Sequence, residues 1–247
     1  MKAVILAAGK GTRMRDLTNA LPKPMLKVKD KPILQHILEG LKSAGIQEAF
    51  IVTGYRAETI EDYFGNGERI GMRIAYGRQE VQDGTGKAPE LAREFAGTDA
   101  FLLTYGDILV EPGTYAQMVR RFNDGPYSGV ITVTASEDVT KGGLNIFDEK
   151  FCLTRLLEKP SKEEVSRLHK AGLIKTAWYN AGIYIFRPAL FDFTAKLEKS
   201  ARGEYELTDA VNQMVQAGHK IAGLQIAGRW VDVRDPEVLA ALEQQSG

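Results

Sequence analysis

A basic, glycine-rich loop near the start of the chain has the residue types needed to hold a polyphosphate. Gly9 and Gly11 flank Lys10, Arg13 follows two positions later, and Lys23 lies between two prolines ten residues further on. Glycine lets backbone N–H groups approach an anion closely, and the cationic side chains add positive charge. The loop therefore predicts a site that grips phosphate groups from several sides.

Three other interpretations of this loop are weaker. A P-loop has a glycine, then any four residues, and then Gly-Lys-Ser/Thr. That order is missing here. A dinucleotide fingerprint needs a third glycine where this chain has Met14. A glycine turn without any ligand would explain Gly-x-Gly alone, but it leaves Arg13 and Lys23 unexplained.

Acidic and amide side chains further along the chain could serve the same chemistry. Asp107 follows an apolar run, and a carboxylate at the end of a central strand suits Mg²⁺, although a turn or helix cap is the ordinary role. Glu158 and Asn180 could hydrogen-bond sugar hydroxyls, and Lys159 could neutralise a sugar phosphate. A solvated surface pair is the alternative for Glu158 and Lys159.

Alternating strands and helices are predicted to position these residues. Apolar runs and residues at helical spacing indicate strand, helix, strand and helix in turn, as in βαβ units around a mainly parallel sheet. The predicted elements of the first half are strands at 2–8, 49–53, 72–76 and 100–104 and helices at 32–43, 57–64 and 87–95. The loop 9–13 then lies at the carboxyl edge of the sheet, where open α/β folds bind ligands.

Beyond Ser128 the turns between strands become shorter. Strands are predicted at 129–134, 144–147, 153–157, 177–186 and 221–225, and helices at 163–171, at 207–217 and from Pro236. We expect one domain over residues 1–247, made of two halves at 1–127 and 128–247.

Composition excludes several classes of partner. The 247 residues contain 32 Lys plus Arg and 32 Asp plus Glu, so no net charge would attract nucleic acid or a membrane surface. The single cysteine, Cys152, forms no internal disulfide, and no leader segment opens the sequence. We expect a cytoplasmic monomer or small homo-oligomer, with Cys152 and the three histidines in structural roles.

The motifs together resemble the sugar-1-phosphate nucleotidylyltransferases, also called nucleotide-sugar pyrophosphorylases. The resemblance rests on Ala7-Ala8-Gly9-x-Gly11-Thr12-Arg13-Met14 and Leu21-Pro22-Lys23-Pro24-Met25, and further matches extend to Trp230-Val231-Asp232. It implies a GT-A-like, Rossmann-related α/β fold, a mainly parallel mixed sheet flanked by helices, with a smaller acceptor-side β subregion. The half at 1–127 would then bind the nucleotide and the half at 128–247 the sugar phosphate. It also implies Mg²⁺-dependent, in-line transfer of a nucleotidyl group from an NTP to a sugar 1-phosphate, with release of pyrophosphate.

The resemblance also assigns roles to individual residues. Arg13 and Lys23 would be catalytic, and Asp107 and Asp232 would hold the metal. The nucleotide would be bound by Leu6, Ala8, Gly9, Gly11, Thr12, Arg13, Lys23, Gln79, Gly84, Thr85 and Asp107, and the sugar phosphate by Gly143, Glu158, Lys159, Asn180 and Asp232.

Substrate identity stays partly open. The run from Gln79 to Gly86 is similar to uridylyltransferases that make UDP-N-acetylglucosamine, so UTP is the first choice of nucleotide and dTTP the second. The sugar could be glucose, N-acetylglucosamine, N-acetylmuramate, mannose or a heptose. Transfer to phosphocholine or an inositol phosphate, and a non-catalytic nucleotide-sugar sensor, are the alternative functions.

One segment departs from the family pattern. Many relatives continue Asp-x-Gly-Thr at the second carboxylate, whereas this chain has Asp232-Val233-Arg234-Asp235. Asp235 could compete as a metal ligand or cap the last helix, and the cap is the preferred interpretation because Pro236 follows it.

Overall fold

The computed structural model describes residues 1–14 and 16–244, which form a mixed α/β fold. Within them are thirteen strands: β1 (Lys2–Leu6), β2 (Lys27–Val28), β3 (Lys31–Pro32), β4 (Glu48–Thr53), β5 (Arg73–Arg78), β6 (Phe101–Tyr105), β7 (Ile108–Val110), β8 (Gly129–Thr134), β9 (Gly143–Phe147), β10 (Leu153–Glu158), β11 (Trp178–Phe186), β12 (Ile221–Gln225) and β13 (Trp230–Asp232).

Nine helices occur in the same residues, together with short 3-10 turns such as those at Thr12–Met14 and Lys23–Met25. They are α1 (Leu17–Ala20), α2 (Ile33–Ser43), α3 (Ala57–Phe64), α4 (Arg93–Ala96), α5 (Gly113–Asn123), α6 (Lys162–Lys170), α7 (Leu190–Thr194), α8 (Leu207–Gln216) and α9 (Pro236–Gln244). Among the described residues no helix is both long and apolar enough to cross a membrane.

One nine-stranded sheet runs through the molecule in the order β10-β9-β11-β6-β1-β4-β5, with β8 joined to β11 and β12 joined to β8. The part β6-β1-β4-β5 is parallel, as the sequence predicts. Strand β11 then runs antiparallel to β6, β8 and β9. The carboxyl ends of β1 and β6 therefore meet at one edge, directly before the glycine loop and Asp107 respectively.

Strand β1 is apolar from Ala3 to Leu6 because both faces of the sheet are covered. Ala3 and Ile5 belong to the hydrophobic core on one face, and Val4 and Leu6 belong to the core on the other. A parallel strand covered on both sides has no solvent face on which alternation could develop. This burial fixes the strand end from which the glycine loop emerges.

Several elements lie outside what the sequence predicted, among them the short elements α1, β2 and β3. Helix α5 was not predicted at all, and the three-residue strand β7 pairs antiparallel with β13 in a separate two-stranded sheet. The predicted helix over 87–95 is instead a 3-10 turn at Ala88–Ala92 followed by the single turn α4. The division into halves at residue 128 stays a prediction.

Candidate active site

The glycine-rich loop lines a cavity of about 560 Å³ at the carboxyl ends of β1 and β6. All of the residues predicted to bind the nucleotide line this cavity: Leu6, Ala8, Gly9, Gly11, Thr12, Arg13, Lys23, Gln79, Gly84, Thr85 and Asp107. Lys10 lies there too, with its ammonium 5.7 Å from the centre of the Tyr55 ring. The sequence motif thus folds into one concave, cationic surface.

The two glycines of the loop differ in what they require. Gly11 has φ +65°, and a Cβ atom there would lie 2.9 Å from Cβ of Lys23. Gly9 does not have a positive φ, and a Cβ atom there would meet nothing within 4 Å. Gly11 is therefore required by its backbone conformation, whereas the small size of Gly9 leaves the cavity open.

These differences predict distinct effects of adding one methyl group. Gly11→Ala should lower the free energy of unfolding by about 1–2 kcal/mol, because a side chain disfavours this backbone conformation. Gly9→Ala should leave stability within about 0.5 kcal/mol of wild type. It should nevertheless raise the KM for NTP roughly tenfold by keeping phosphate from the backbone. Urea unfolding and initial rates test both effects, and equal stability of the two variants would contradict this assignment.

Two carboxylates and one ammonium meet beside the loop. Asp107 lies between β6 and β7. Asp232 is the last residue of β13 and pairs with Ile108 of β7. Lys23 forms an ion pair with Asp107 Oδ2, and its Nζ lies 3.8 Å from Asp232 Oδ1. The Val233 N–H donates to the Asp107 carbonyl oxygen over 3.0 Å, which fixes the two acidic segments together.

Burial and the nearby Asp107 change the acidity of Asp232. Burial and the charge of Asp107 raise the pKa of Asp232 to about 6 from its ordinary value of 3.8, and Lys23 offsets part of this effect. Lys23 is itself 9% exposed, so its charge is little screened by water. Two carboxylates with one ammonium between them form a site that is short of positive charge.

This raised pKa predicts a pH dependence of stability in the ligand-free protein. Between about pH 4 and pH 6 the native state binds more protons than the unfolded state, so the contribution of Asp232 to stability grows as the pH falls. The free energy of unfolding of wild type relative to Asp232→Asn should rise on the order of 2 kcal/mol from pH 7 to pH 4. Urea unfolding in a chelator measures the difference, and a pH-independent value would contradict it.

The far end of the nucleotide cavity holds Gln79 and the turn after it. The Gln79 Nε2–H donates to the Gly84 carbonyl oxygen over 3.2 Å, which leaves the amide oxygen of Gln79 available as an acceptor. Gly84 has φ +120° and pairs with Tyr205, where a Cβ atom would lie 2.3 Å from the Tyr205 carbonyl oxygen. Glycine is therefore required at position 84 by the fold itself.

A second cavity of about 270 Å³ holds the residues predicted to bind the sugar phosphate: Gly143, Glu158, Lys159, Asn180 and Asp232. Asn180 donates through Nδ2 to Tyr184 Oη over 2.8 Å and accepts from the Gly182 N–H over 3.2 Å. Lys159 has φ +44° just after β10, and its N–H donates to the Gly142 carbonyl oxygen. The Asn180 side chain and the Lys159 backbone are therefore each held by local hydrogen bonds.

The two cavities are the ends of a single cleft. They share Arg13, Thr85, Tyr105, Asp107 and Glu204. Asp107 therefore faces both ends, while Glu158 and Lys159 face one end and the glycine loop faces the other. Such a cleft can hold two ligands with their phosphates meeting at the carboxylates.

The sequence analysis did not predict the charged segment 202–206, which lines the second cavity beside Glu158. Arg202 donates to Glu206 Oε1 over 2.6 Å and to Glu158 Oε1 over 3.3 Å. Burial raises the pKa of Glu158, with Arg202 opposing and Glu206 adding to that shift. The signal was the charged run Arg-Gly-Glu-x-Glu directly before α8. Lys141 and Arg234, which also line the cleft, were likewise not predicted.

The residues expected to be structural have ordinary contacts. His36 lies 2.7 Å from the Val28 carbonyl oxygen, and His219 lies 3.0 Å from Ser128 Oγ. Asp235 Oδ1 accepts from the Val238 N–H over 2.9 Å, so it caps α9 as predicted. Among the residues described here, no group of three or more His, Cys, Asp or Glu residues is arranged to hold a metal without substrate.

Comparison with known proteins agrees with this geometry. The model of the nucleotidyl transferase family matches residues 2–245. The chain is 33% identical over 245 residues to the low-salt glycan biosynthesis nucleotidyltransferase Agl11 of Haloferax volcanii. This alignment covers 99% of this chain and 65% of that protein. It is 32% identical over 232 residues to a glucose-1-phosphate thymidylyltransferase of Streptomyces griseus, with 94% of this chain and 62% of that protein covered.

A solved structure gives the same fold. A UDP-glucose pyrophosphorylase complexed with UDP-glucose superposes with a TM-score of 0.86 at 23% identity, covering 99% of this chain and 97% of that chain. This likeness identifies the fold as GT-A-like, as predicted. The chain spans less than two thirds of the length of the two relatives described above. By its motifs, its fold and the family model, the chain belongs to the nucleotidyl transferase family.

Proposed function

We propose that this chain transfers a nucleotidyl group from an NTP to a sugar 1-phosphate and releases pyrophosphate. The observation that carries the proposal is the single cleft with a cationic glycine loop at one end and Glu158, Lys159 and Asn180 at the other. Asp107 borders both ends, which is where the phosphorus atom that changes partners would lie.

Asp107 and Asp232 would hold Mg²⁺. The donor set fits this ion, since Mg²⁺ in nucleotide enzymes takes one or two carboxylates and completes its coordination with water and phosphate oxygens. The raised pKa of Asp232, caused by burial and by Asp107, indicates a site that an added cation would stabilise. When bound, the ion would neutralise charge on the phosphate oxygens.

The chain's own residues would supply alignment and charge. Lys159 would hold the sugar phosphate, Lys23 would stabilise charge on the nucleotide phosphates, and Arg13 would bind the leaving pyrophosphate. A phosphate monoester is already anionic near neutral pH, so the attacking oxygen needs no general base. An oxygen of the sugar phosphate would form the new P–O bond at the α-phosphorus as the bond to pyrophosphate breaks.

Gln79 would recognise the base. Its amide oxygen can accept from the imide N–H of a uracil or thymine, and the N–H of Nε2 that is not donated to Gly84 can donate to a carbonyl oxygen of the base. This edge is the same in both bases, so UTP remains the first choice and dTTP the second. The thymidylyltransferase relative supports testing dTTP directly.

The test is a matrix of five NTPs against several sugar 1-phosphates with Mg²⁺, in which pyrophosphate release is measured. Phosphocholine and an inositol phosphate serve as non-sugar acceptors in the same plate. We expect release to depend on both a pyrimidine NTP and a sugar 1-phosphate. Release with a non-sugar acceptor alone, or NTP binding without product from any acceptor, would contradict the proposal.

A further inference from the structure

Arg234 is a cation of the cleft to which the proposed function gives no role. Its side chain lines the nucleotide cavity with the glycine loop, Lys23 and Asp107, and it is 24% exposed. It does not line the sugar cavity, although its neighbour Asp232 does. Arg234 thus faces the nucleotide end specifically.

The backbone around Arg234 is fixed at three successive points. The Val233 N–H donates to the Asp107 carbonyl oxygen over 3.0 Å, and the Val233 side chain is fully buried. The Arg234 N–H donates to the Asp232 carbonyl oxygen over 2.8 Å, and Asp235 caps α9. A side chain that starts from such a rigid segment is pre-organised for binding.

Glu137 orients the guanidinium. Arg234 Nη2 donates to Glu137 Oε2 over 2.8 Å, and Glu137 is 22% exposed. Side-chain hydrogen bonds stabilise the turns on either side of Glu137. One joins the hydroxyls of Thr134 and Ser136, and in the other the Thr140 hydroxyl donates to the Asp138 carboxylate. A guanidinium has five N–H donors, so one bond to Glu137 leaves others for a second anion.

The balance of charge indicates what that anion is. The nucleotide cavity is lined by four cationic side chains and two carboxylates, and Arg234 is one of the four cations. The sugar cavity has four cationic side chains and five carboxylates. An excess of positive charge exists at the nucleotide end alone, where a polyphosphate brings several negative charges and a planar guanidinium can bind phosphate through two oxygens.

We propose that Arg234 binds the β- and γ-phosphates of the nucleotide, which become the leaving pyrophosphate, and that Glu137 is its positioning residue. This inference rests on the proposed function. It adds a second arginine beside Arg13 at the leaving-group end. It also gives a role to the Arg234 side chain, which stands where the family pattern has glycine.

Titration calorimetry with inorganic pyrophosphate and Mg²⁺ tests the inference without turnover. Arg234→Gln should weaken pyrophosphate binding about 10- to 100-fold, because a charge-assisted contact is lost. Arg234→Lys should recover part of this affinity, since the charge stays but the fork geometry does not. Lys175→Gln, an exposed lysine that lines neither cavity, is the matched control and should bind as wild type does.

Kinetics then assign the contact to one substrate. In Arg234→Gln the KM for NTP should rise by a similar factor, while the KM for sugar 1-phosphate stays unchanged. Glu137→Gln should weaken pyrophosphate binding although it removes a negative charge, because the guanidinium loses its support. A purely electrostatic effect would strengthen binding instead, and that result would overturn the positioning role.

The failure of this inference is separable from failure of the proposed function. Pyrophosphate binding by Arg234→Gln as tight as that of wild type overturns the role of Arg234, whatever the activity. A rise in the KM for sugar 1-phosphate alone overturns it as well. Absence of product with the wild-type protein contradicts the proposed function, while the calorimetry still decides whether Arg234 binds pyrophosphate.

Discussion

Asp107→Asn is expected to lower the kcat of nucleotidyl transfer by about 1,000-fold or more, which corresponds to several kcal/mol of lost charge stabilisation. Asp107 borders both ends of the cleft and forms the ion pair with Lys23, so its charge serves both substrates. The amide keeps the size of the side chain, and the loss should therefore come from charge. Pyrophosphate release at saturating NTP and sugar 1-phosphate measures it.

The matched control for this substitution is Asp99→Asn. Asp99 is exposed, lies before β6 and lines neither cavity, and its variant should keep wild-type turnover. Binding of Mn²⁺, followed by its paramagnetic resonance signal, should weaken in Asp107→Asn and stay unchanged in Asp99→Asn. Circular dichroism should be the same for both. A kcat within about threefold of wild type in Asp107→Asn would remove the assigned role.

Lys23→Ala is expected to lower kcat about 100- to 1,000-fold, the range for loss of one pre-organised charged donor at a reacting group. Lys23 begins a 3-10 turn, has a proline on each side in the sequence and lies beside both carboxylates. Its removal also leaves Asp107 and Asp232 without their shared counter-charge. The pKa of Asp232 should therefore move further upward, and more Mg²⁺ should be needed for half-maximal rate at pH 6 than at pH 8.

An exposed lysine nearby provides the comparison for Lys23. Lys27 lies in β2, four residues along the chain, and points to solvent. Lys27→Ala should retain wild-type kcat and KM values. If Lys23→Ala and Lys27→Ala gave equal rates in initial-rate measurements across Mg²⁺ concentrations, the charge of Lys23 would have no part in the reaction.

Residues that follow long, buried strands could be placed from the sequence. Leu6 ends β1 and Tyr105 ends β6, and these two strands are hydrogen-bonded neighbours. The glycine loop and Asp107 must therefore emerge at one edge of the sheet, which the apolar runs before them already indicated. Position along the chain was enough here because strand direction and burial decide where the ends lie.

Elements that depend on distant pairing could not be placed in this way. Strands β7 and β13 have three residues each, too few for a periodic pattern, and they are formed by pairing between positions more than a hundred residues apart. Helix α5 has buried Tyr115, Met118 and Phe122 on one face, but it begins at Pro112-Gly113, which has the composition of a turn.

The salt bridges of the cleft could not be predicted from the sequence either. Arg202 pairs with Glu158 across 44 positions, and Arg234 pairs with Glu137 across 97. Charged side chains at such separations meet only through the tertiary fold, and composition gives no sign of which of the 32 basic residues find which of the 32 acidic ones. The motifs predicted the glycine loop and Asp107, whereas the ion pairs of Arg202 and Arg234 became visible only in the fold.

The late position of Asp232 in the chain separates it from the elements that build the sheet. The nine-stranded sheet is complete at β12, which ends at Gln225, and β13 is not part of it. The sheet, the glycine loop and the Lys23–Asp107 pair therefore all come from residues that precede Asp232. A polypeptide shortened by its last segment would keep every strand of the sheet but only one of the two acidic groups, so architecture and chemistry are encoded in different stretches of the sequence.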